Sequence, residues 1–175
     1  EFRRVLFRSL IKAWAQIQNK YPDWVVEIAG EGENGRQYLE SIIAEKHLEN
    51  RVLLSGFHLN IRDFFYDSEI FVLSSRYEGF GMVLIEAMSQ GAACIACDYK
   101  GRQREIIQND SQGLCVECEN ENTLADALSR MIEDENYRRQ VQENGWKRSL
   151  DFTPDKIGAN WMRLFEELLE QRHHA

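Results

Sequence analysis

Two glutamates, Glu78 and Glu86, stand on either side of a turn that reads Gly79-Phe80-Gly81-Met82-Val83. The turn follows an apolar run, Ile70-Phe71-Val72-Leu73, and opens a helical pattern from Met82 to Gln90 that Gly91 stops. Gly79 and Gly81 leave backbone amides open to a ligand. A helix starting near Gly81 or Met82 aims its unsatisfied N–H groups and its positive dipole end at the same space. That is a place for a phosphate. An ionised carboxylate at each edge accepts hydrogen bonds from hydroxyl groups. Phosphate in the middle with sugar hydroxyls on both sides describes a nucleotide-sugar. The same two acids also read simply as helix-start residues that favour the dipole, and the spacing alone leaves both readings open.

Two further patterns could carry chemistry. Gly30-Glu31-Gly32-Glu33-Asn34-Gly35 is a literal G-x-G-x-x-G between a strand pattern and a helix pattern, the form of a dinucleotide fingerprint. Against that reading, Glu31 and Glu33 place negative charge where a pyrophosphate would lie. The acid expected at the end of the next strand is replaced by Leu54-Ser55-Gly56. The second pattern is Cys94-x-x-Cys97 and Cys115-x-x-Cys118, separated by 17 residues, a spacing seen in zinc ribbons. A ribbon needs each pair on a tight turn so that the sulfurs converge. Both pairs here lie in strand-like runs, where residues three apart point to opposite faces. Buried small hydrophobes are the competing account of these cysteines.

The elements that must position these residues can be read from periodicity. Leu10, Ala13, Trp14 and Ile17 form one helix stripe, ending before Pro22. Trp24 to Ala29, Val52 to Leu54, Ile70 to Leu73, Cys94 to Ala96 and Gly113 to Val116 read as short buried strands. Helix patterns follow at Leu39 to Ile43 and at Ile61 to Tyr66, and a short one at Glu105 to Ile107. Three helices close the chain. Their stripes are Leu124, Ala127, Leu128, Met131 and Ile132; then Tyr137 and Val141; then Ile157, Trp161, Leu164, Phe165 and Leu168 after a Thr153-Pro154 start. This alternation predicts an α/β fold, a doubly wound parallel sheet of about five strands covered by helices. In such sheets the ligand sits outside the C-terminal strand ends.

Composition narrows the classes. With 21 Lys+Arg against 29 Asp+Glu the formal charge is −8 over 175 residues, and the pI is near 5.1. No long basic block suggests nucleic acid, and no apolar run approaches a membrane span. Four cysteines without a secretion signal read as reduced thiols. Residues 1–9 stand apart, with four apolar residues, three arginines and no clear period; they read either as an ordinary basic strand or arm or as a non-native junction replacing a first strand.

The stretch from Phe71 to Met88 resembles the retaining glycosyltransferases of the GT-B fold, in particular the large family 4 group. Their hallmark is E-x7-E around a Gly-rich turn, matched by Glu78 and Glu86. Gly30-Glu31-Gly32, Val52 to Phe57, Gly101 to Ile107 and Gly113-Leu114 are similar to further segments of that group, in the same order. The resemblance implies the C-terminal, Rossmann-like half of a GT-B enzyme over residues 10–172, with the acceptor-binding N-terminal domain absent and the fragment inactive alone. It implies sugar transfer from a nucleotide-diphosphate sugar with retention of configuration, in polysaccharide or glycolipid synthesis. Glu78 would be the catalytic-site acid near the donor sugar. Gly79, Phe80, Gly81, Met82 and Val83 would cradle sugar and diphosphate, Glu86 would hold the ribose, Arg76 would add positive charge, and Ser55, Gly56 and Phe57 would border the base. No cofactor or metal is expected, since no Asp-x-Asp occurs. The expected partners are the donor and the missing domain, not nucleic acid. The expected location is cytoplasmic, with any membrane contact of the parent made elsewhere, at the inner membrane face. The basic Gly-Arg and Lys-Gly pair of the group is not found: its lysine position falls at Val5.

Overall fold

A computed structural model of the chain describes residues 2–30, 33–75 and 78–173. The elements run α1 (Phe2–Ile17), β1 (Val26–Ala29), α2 (Glu33–Glu45), β2 (Val52–Gly56), α3 (Ile61–Tyr66), β3 (Ile70–Leu73), α4 (Met82–Ser89), β4 (Ala93–Asp98), β5 (Leu114–Glu117), α5 (Glu121–Glu133), α6 (Glu135–Ser149) and α7 (Pro154–His173). A 3-10 turn at Arg102–Glu105 replaces the short helix expected at Glu105 to Ile107. The α/β alternation and the parallel pairing are as expected. The five strands, however, form two sheets: β1 pairs with β2, and β3, β4 and β5 pair in that order.

Burial follows the sequence periods. In α1, Leu10, Ala13, Trp14 and Ile17 are all buried, and the helix packs on α2 and α5. β4 is the central strand of the larger sheet and carries five consecutive buried residues. Its alternation sends Ala93, Ile95 and Cys97 into one core with α1, α2, α5 and α6 residues, and Cys94 and Ala96 into a second core with α4. The first core also contains Ile28 of β1 and Val52 of β2, so one apolar layer runs under both sheets. Side-chain caps begin α5 and α6, where Asn120 Oδ1 accepts from Thr123 N at 3.2 Å and Asp134 Oδ1 accepts from Tyr137 N at 2.9 Å.

Two elements depart from the sequence reading. The first nine residues carry no helical stripe of their own, yet α1 starts at Phe2 and runs through them without a break. No glycine or proline interrupts that stretch, so the helix fixed by the Leu10–Ile17 stripe extends back along it. The α7 stripe exists but buries nothing among the described residues. Ile157, Trp161, Leu164, Phe165 and Leu168 are all exposed, and the helix packs only near its own start. No helix of the described residues is long and apolar enough to cross a membrane.

Candidate donor site at the strand ends

β3 delivers the chain into buried Ser74 and Ser75. Arg76 and Tyr77 lie outside the described residues. Glu78 is half-buried, and the chain turns from it through Gly79 and Phe80 into Gly81. Gly81 is the N-cap of α4 with φ 86°, a left-handed conformation that favours glycine. Its carbonyl accepts from Leu84 N at 2.9 Å. A Cβ at this position would also lie 2.9 Å from Gln103 Oε1, so the Gln103 side chain would have to shift as well. Met82 and Glu86 are exposed, Val83 is half-buried, and Leu84 and Ile85 anchor the helix below them. Glu86, four residues beyond Met82, stands about 6 Å further along the helix axis.

The turn is supported from behind by residues that the sequence reading passed over individually. Gly101 (φ 77°) starts the 3-10 turn that carries Arg102 and Gln103. Arg102 Nη1 donates to the Gly79 carbonyl at 3.4 Å, which puts a guanidinium at this turn. Gln103 is buried behind Gly81, its N–H donates to Asp98 Oδ1 at 3.2 Å, and its Oε1 has no partner among the described residues. Arg148 of α6 fixes this turn, donating to the carbonyls of Glu105 at 2.7 Å and Ile106 at 3.0 Å while lying over the Phe152 ring. Phe152 in turn meets Phe80 edge-on at 5.8 Å. The signal available in sequence was the glycine at 101 followed by a basic residue.

A second wall is built at the ends of β1 and β2. Gly30 N donates to the Gly56 carbonyl at 2.7 Å, joining the two strand ends. Gly56 has φ 78°, which throws the following Phe57 outward, 65% exposed. Ser55 Oγ donates to the Ile28 carbonyl at 3.4 Å and lies 2.8 Å from His58 Nε2. His58 was not singled out in sequence. Ser55, Gly56 and Phe57 thus form one strand-end loop, and Glu78 with Gly79 to Val83 and Glu86 forms the other. A cavity of about 540 Å3 lies between the sheets and reaches Ala29, Ser74, Ser75 and Val83 at the strand-end side.

Of the G-x-G-x-x-G, Glu31 and Gly32 lie outside the described residues, and Gly35 lies in the first turn of α2. The cysteine pairs split between the two faces of the sheet. Cys94 is in the α4-side core with Cys115 packed against it, and Cys97 is in the opposite core with Cys118 packed against it. The sulfurs of each pair therefore cannot converge on one ion. No group of three or more His, Cys, Asp or Glu among the described residues could hold a metal. Burial pushes the Cys97 thiol up to about 12 and the Cys115 thiol up to about 11, and raises Cys94 further. A folded-state thiol value above the unfolded one near 9.0 favours the protonated form on folding. The stabilisation is complete below about pH 9 and is lost as pH rises towards the folded values. For Cys94 and Cys97 each, the expected limiting loss is about 1.4 kcal/mol per pH unit. Urea unfolding at pH 8, 9 and 10 should show it, and a Cys94→Ala, Cys97→Ala pair should flatten the decline. An unchanged decline in that pair would remove the thiols as its cause.

With this geometry described, comparison with known proteins is direct. The family described as glycosyl transferases group 1 matches residues 7–148. A Campylobacter jejuni N-acetylgalactosaminyltransferase, named for an undecaprenol-diphosphate-linked acceptor, is 34% identical over 154 residues, covering 88% of this chain and 41% of that protein. The chain spans less than half the length of the curated relatives it matches, 43% in the case of an Erwinia amylovora amylovoran biosynthesis glycosyltransferase that is 30% identical over 155 residues. Among solved structures, the C-terminal domain of the group 1 glycosyl transferase LpcC from Francisella tularensis superposes with a TM-score of 0.78 at 29% identity, covering 89% of this chain and 82% of that one.

Proposed function

The chain belongs to the group 1 glycosyl transferase family, and from that premise we propose that it is the donor-binding half of a retaining, family 4-type glycosyltransferase. One observation carries the reading. Glu78 and Glu86 flank a left-handed glycine that starts α4, with Arg102 reaching the same turn, at the C-terminal ends of parallel strands.

In this reading the amides at Gly81 to Val83 and the α4 dipole hold the diphosphate, and Arg102 adds positive charge where the basic pair of the resembling group is not found. Glu86 accepts hydrogen bonds from the ribose hydroxyls, and Glu78 from the donor sugar. Ser55 to Phe57 border the base. Transfer breaks the bond from the anomeric carbon to the phosphate oxygen and forms one to the acceptor oxygen on the same face. The departing phosphate takes the acceptor's proton. Catalysis is then positioning and charge stabilisation, with no metal required. The acceptor domain belongs to the remainder of a longer protein, and the exposed apolar stripe of α7 is a surface such a domain would cover. The setting is cytoplasmic assembly of a polysaccharide or glycolipid.

The test is calorimetric titration with UDP, GDP and ADP. UDP is tried first because a Staphylococcus aureus TarM variant, 25% identical with a TM-score of 0.81, was crystallised with it. One nucleotide is expected to bind, and Glu86→Gln to weaken it about 10-fold or more, the cost of a hydrogen bond to a charged acceptor. No binding by any of the three at millimolar concentration, with Glu86→Gln indistinguishable from the parent, would sink the donor-site reading.

A further inference from the structure

We propose that Phe152 is a positioning residue for donor binding, acting through Phe80 on the turn that starts α4. Phe80 sits between Gly79 and Gly81, and two glycines give a turn many conformations to lose when a ligand is bound. Contacts from outside its own helix restrain it. From behind, Arg102 Nη1 reaches the Gly79 carbonyl, and at 3.4 Å that bond is long for an N–H donor. From the side, the Phe152 ring meets Phe80 edge-on, with centroids 5.8 Å apart and planes at 66°. Such a pair shifts an equilibrium by roughly 2- to 12-fold. Phe152 lies in the 3-10 turn Leu150–Phe152 that follows α6, far from the donor turn in sequence.

The Phe152 ring is itself held. It packs against the core that contains Leu84, Ile85 and Met88 of α4, and the Arg148 guanidinium lies 4.5 Å from its centroid. Every nitrogen of that guanidinium is engaged. Nε donates to the Ile106 carbonyl at 3.0 Å, Nη2 to the Glu105 carbonyl at 2.7 Å and Nη1 to Asp151 Oδ2 at 3.0 Å. The two carbonyl bonds fasten the end of the 3-10 turn Arg102–Glu105, which brings Arg102 to Gly79 and Gln103 behind Gly81. One corner at the end of α6 therefore grips the donor turn at two points, through Phe152 on Phe80 and through Arg148 on the turn behind Gly81. A turn ordered in advance spares the ligand the cost of ordering it. Phe152 thus sets nucleotide affinity without touching the nucleotide. That consequence rests on the reading of this turn as the donor site; the hold on the turn does not.

The experiment compares Phe152→Leu, which keeps an apolar side chain and removes the ring, with Phe152→Tyr, which keeps the ring. Native-state amide exchange reads the hold directly at the Leu84 amide, which donates to the Gly81 carbonyl. Phe152→Leu is expected to speed that amide about 5-fold, within the range of one aromatic pair. The Ile107 amide, bonded to the Gln103 carbonyl and fastened through Arg148, and the Ile95 amide of β4 should stay unchanged. Phe152→Tyr should restore the parent rate at Leu84. Equal speeding at Leu84 and Ile95 would make Phe152 a stability residue only, and no speeding at Leu84 would remove the hold; either overturns the proposal. Calorimetric titration with UDP, GDP and ADP reads the consequence. Phe152→Leu is expected to weaken whichever nucleotide the parent binds by about 5-fold, with Phe152→Tyr restoring it. Combining it with Phe80→Leu should weaken binding no further than either change alone; effects that multiply would show that the two rings act separately and would overturn the proposal. The exchange measurement involves no nucleotide, so the hold on the turn and the donor-site reading fail independently.

Discussion

Replacing Trp14 with alanine is expected to lower the unfolding free energy by about 3–5 kcal/mol, a large part of the roughly 5–15 kcal/mol available to a domain. The indole is 1% exposed and sits in the buried stripe of α1 with Leu10, Ile11, Ala13 and Ile17. Its removal leaves a hole in the core layer that runs under both sheets. Arg51 lies over the ring at 5.7 Å while donating to the carbonyls of Gln18, Tyr21 and Pro22, so the turn leading from α1 to β1 loosens as well. Two features hold the cost toward the low end. The indole Nε1 is buried without a partner, so deleting it also deletes an unmade hydrogen bond. Trp14 also borders the cavity between the sheets, which gives neighbours room to relax. Trp14→Phe, which keeps most of the volume and drops the N–H, should cost about 1 kcal/mol. Urea unfolding of the three proteins checks the series, and a Trp14→Ala variant within 1 kcal/mol of the parent would mean that α1 does not belong to the core.

That stripe was legible in the sequence because helical burial repeats within a few residues, and β4 was legible because a strand covered on both faces reads as unbroken apolar residues. The glycine turn that starts α4 was legible for a related reason: Gly79, Gly81 and the two glutamates are neighbours in sequence. Pairing between strands is not local. Nothing in Val26 to Ala29 or Ile70 to Leu73 says that they fail to meet, and the split into two sheets became visible only in three dimensions. Arg102 and Gln103 escaped notice for the same reason. They reach the Gly79–Gly81 turn from 20 or more positions away, across β4. The cysteines show the converse. Their spacing matched a metal motif, and the alternation of a strand, a purely local rule, was enough to separate the sulfurs onto two faces.

The α7 stripe illustrates a limit of a different kind. Its period announces an amphipathic helix, and the helix is there. An apolar face states only that something covers it, not what. With Trp161 55% exposed and the rest of the stripe similar, the partner is not among the described elements.

Side chains bridge the two sheets, and Arg138 does so at the N-terminal ends of β1 and β3. Arg138→Ala is expected to cost about 2–3 kcal/mol, because charge-assisted hydrogen bonds to buried carbonyls are lost. Arg138 is 8% exposed and rises from α6. Its Nη1 donates to the carbonyls of Met131 at 2.8 Å and Ile132 at 3.2 Å, satisfying the last turn of α5. Its Nε donates to Glu69 just before β3 at 3.2 Å, and its guanidinium lies 5.2 Å over Trp24 just before β1. One side chain thus touches the entry to each sheet. The Glu69 carboxylate is more than half exposed, so the ion pair itself contributes little and Glu69→Gln should cost under about 1 kcal/mol. The carbonyl contacts and the stacking carry the effect. Lysine cannot reproduce a planar fork, so Arg138→Lys should recover less than half of the loss. Urea unfolding of the three variants decides it. If Arg138→Lys matches the parent, charge alone suffices; if Glu69→Gln matches Arg138→Ala, the ion pair holds the sheets together and the carbonyl bonds do not.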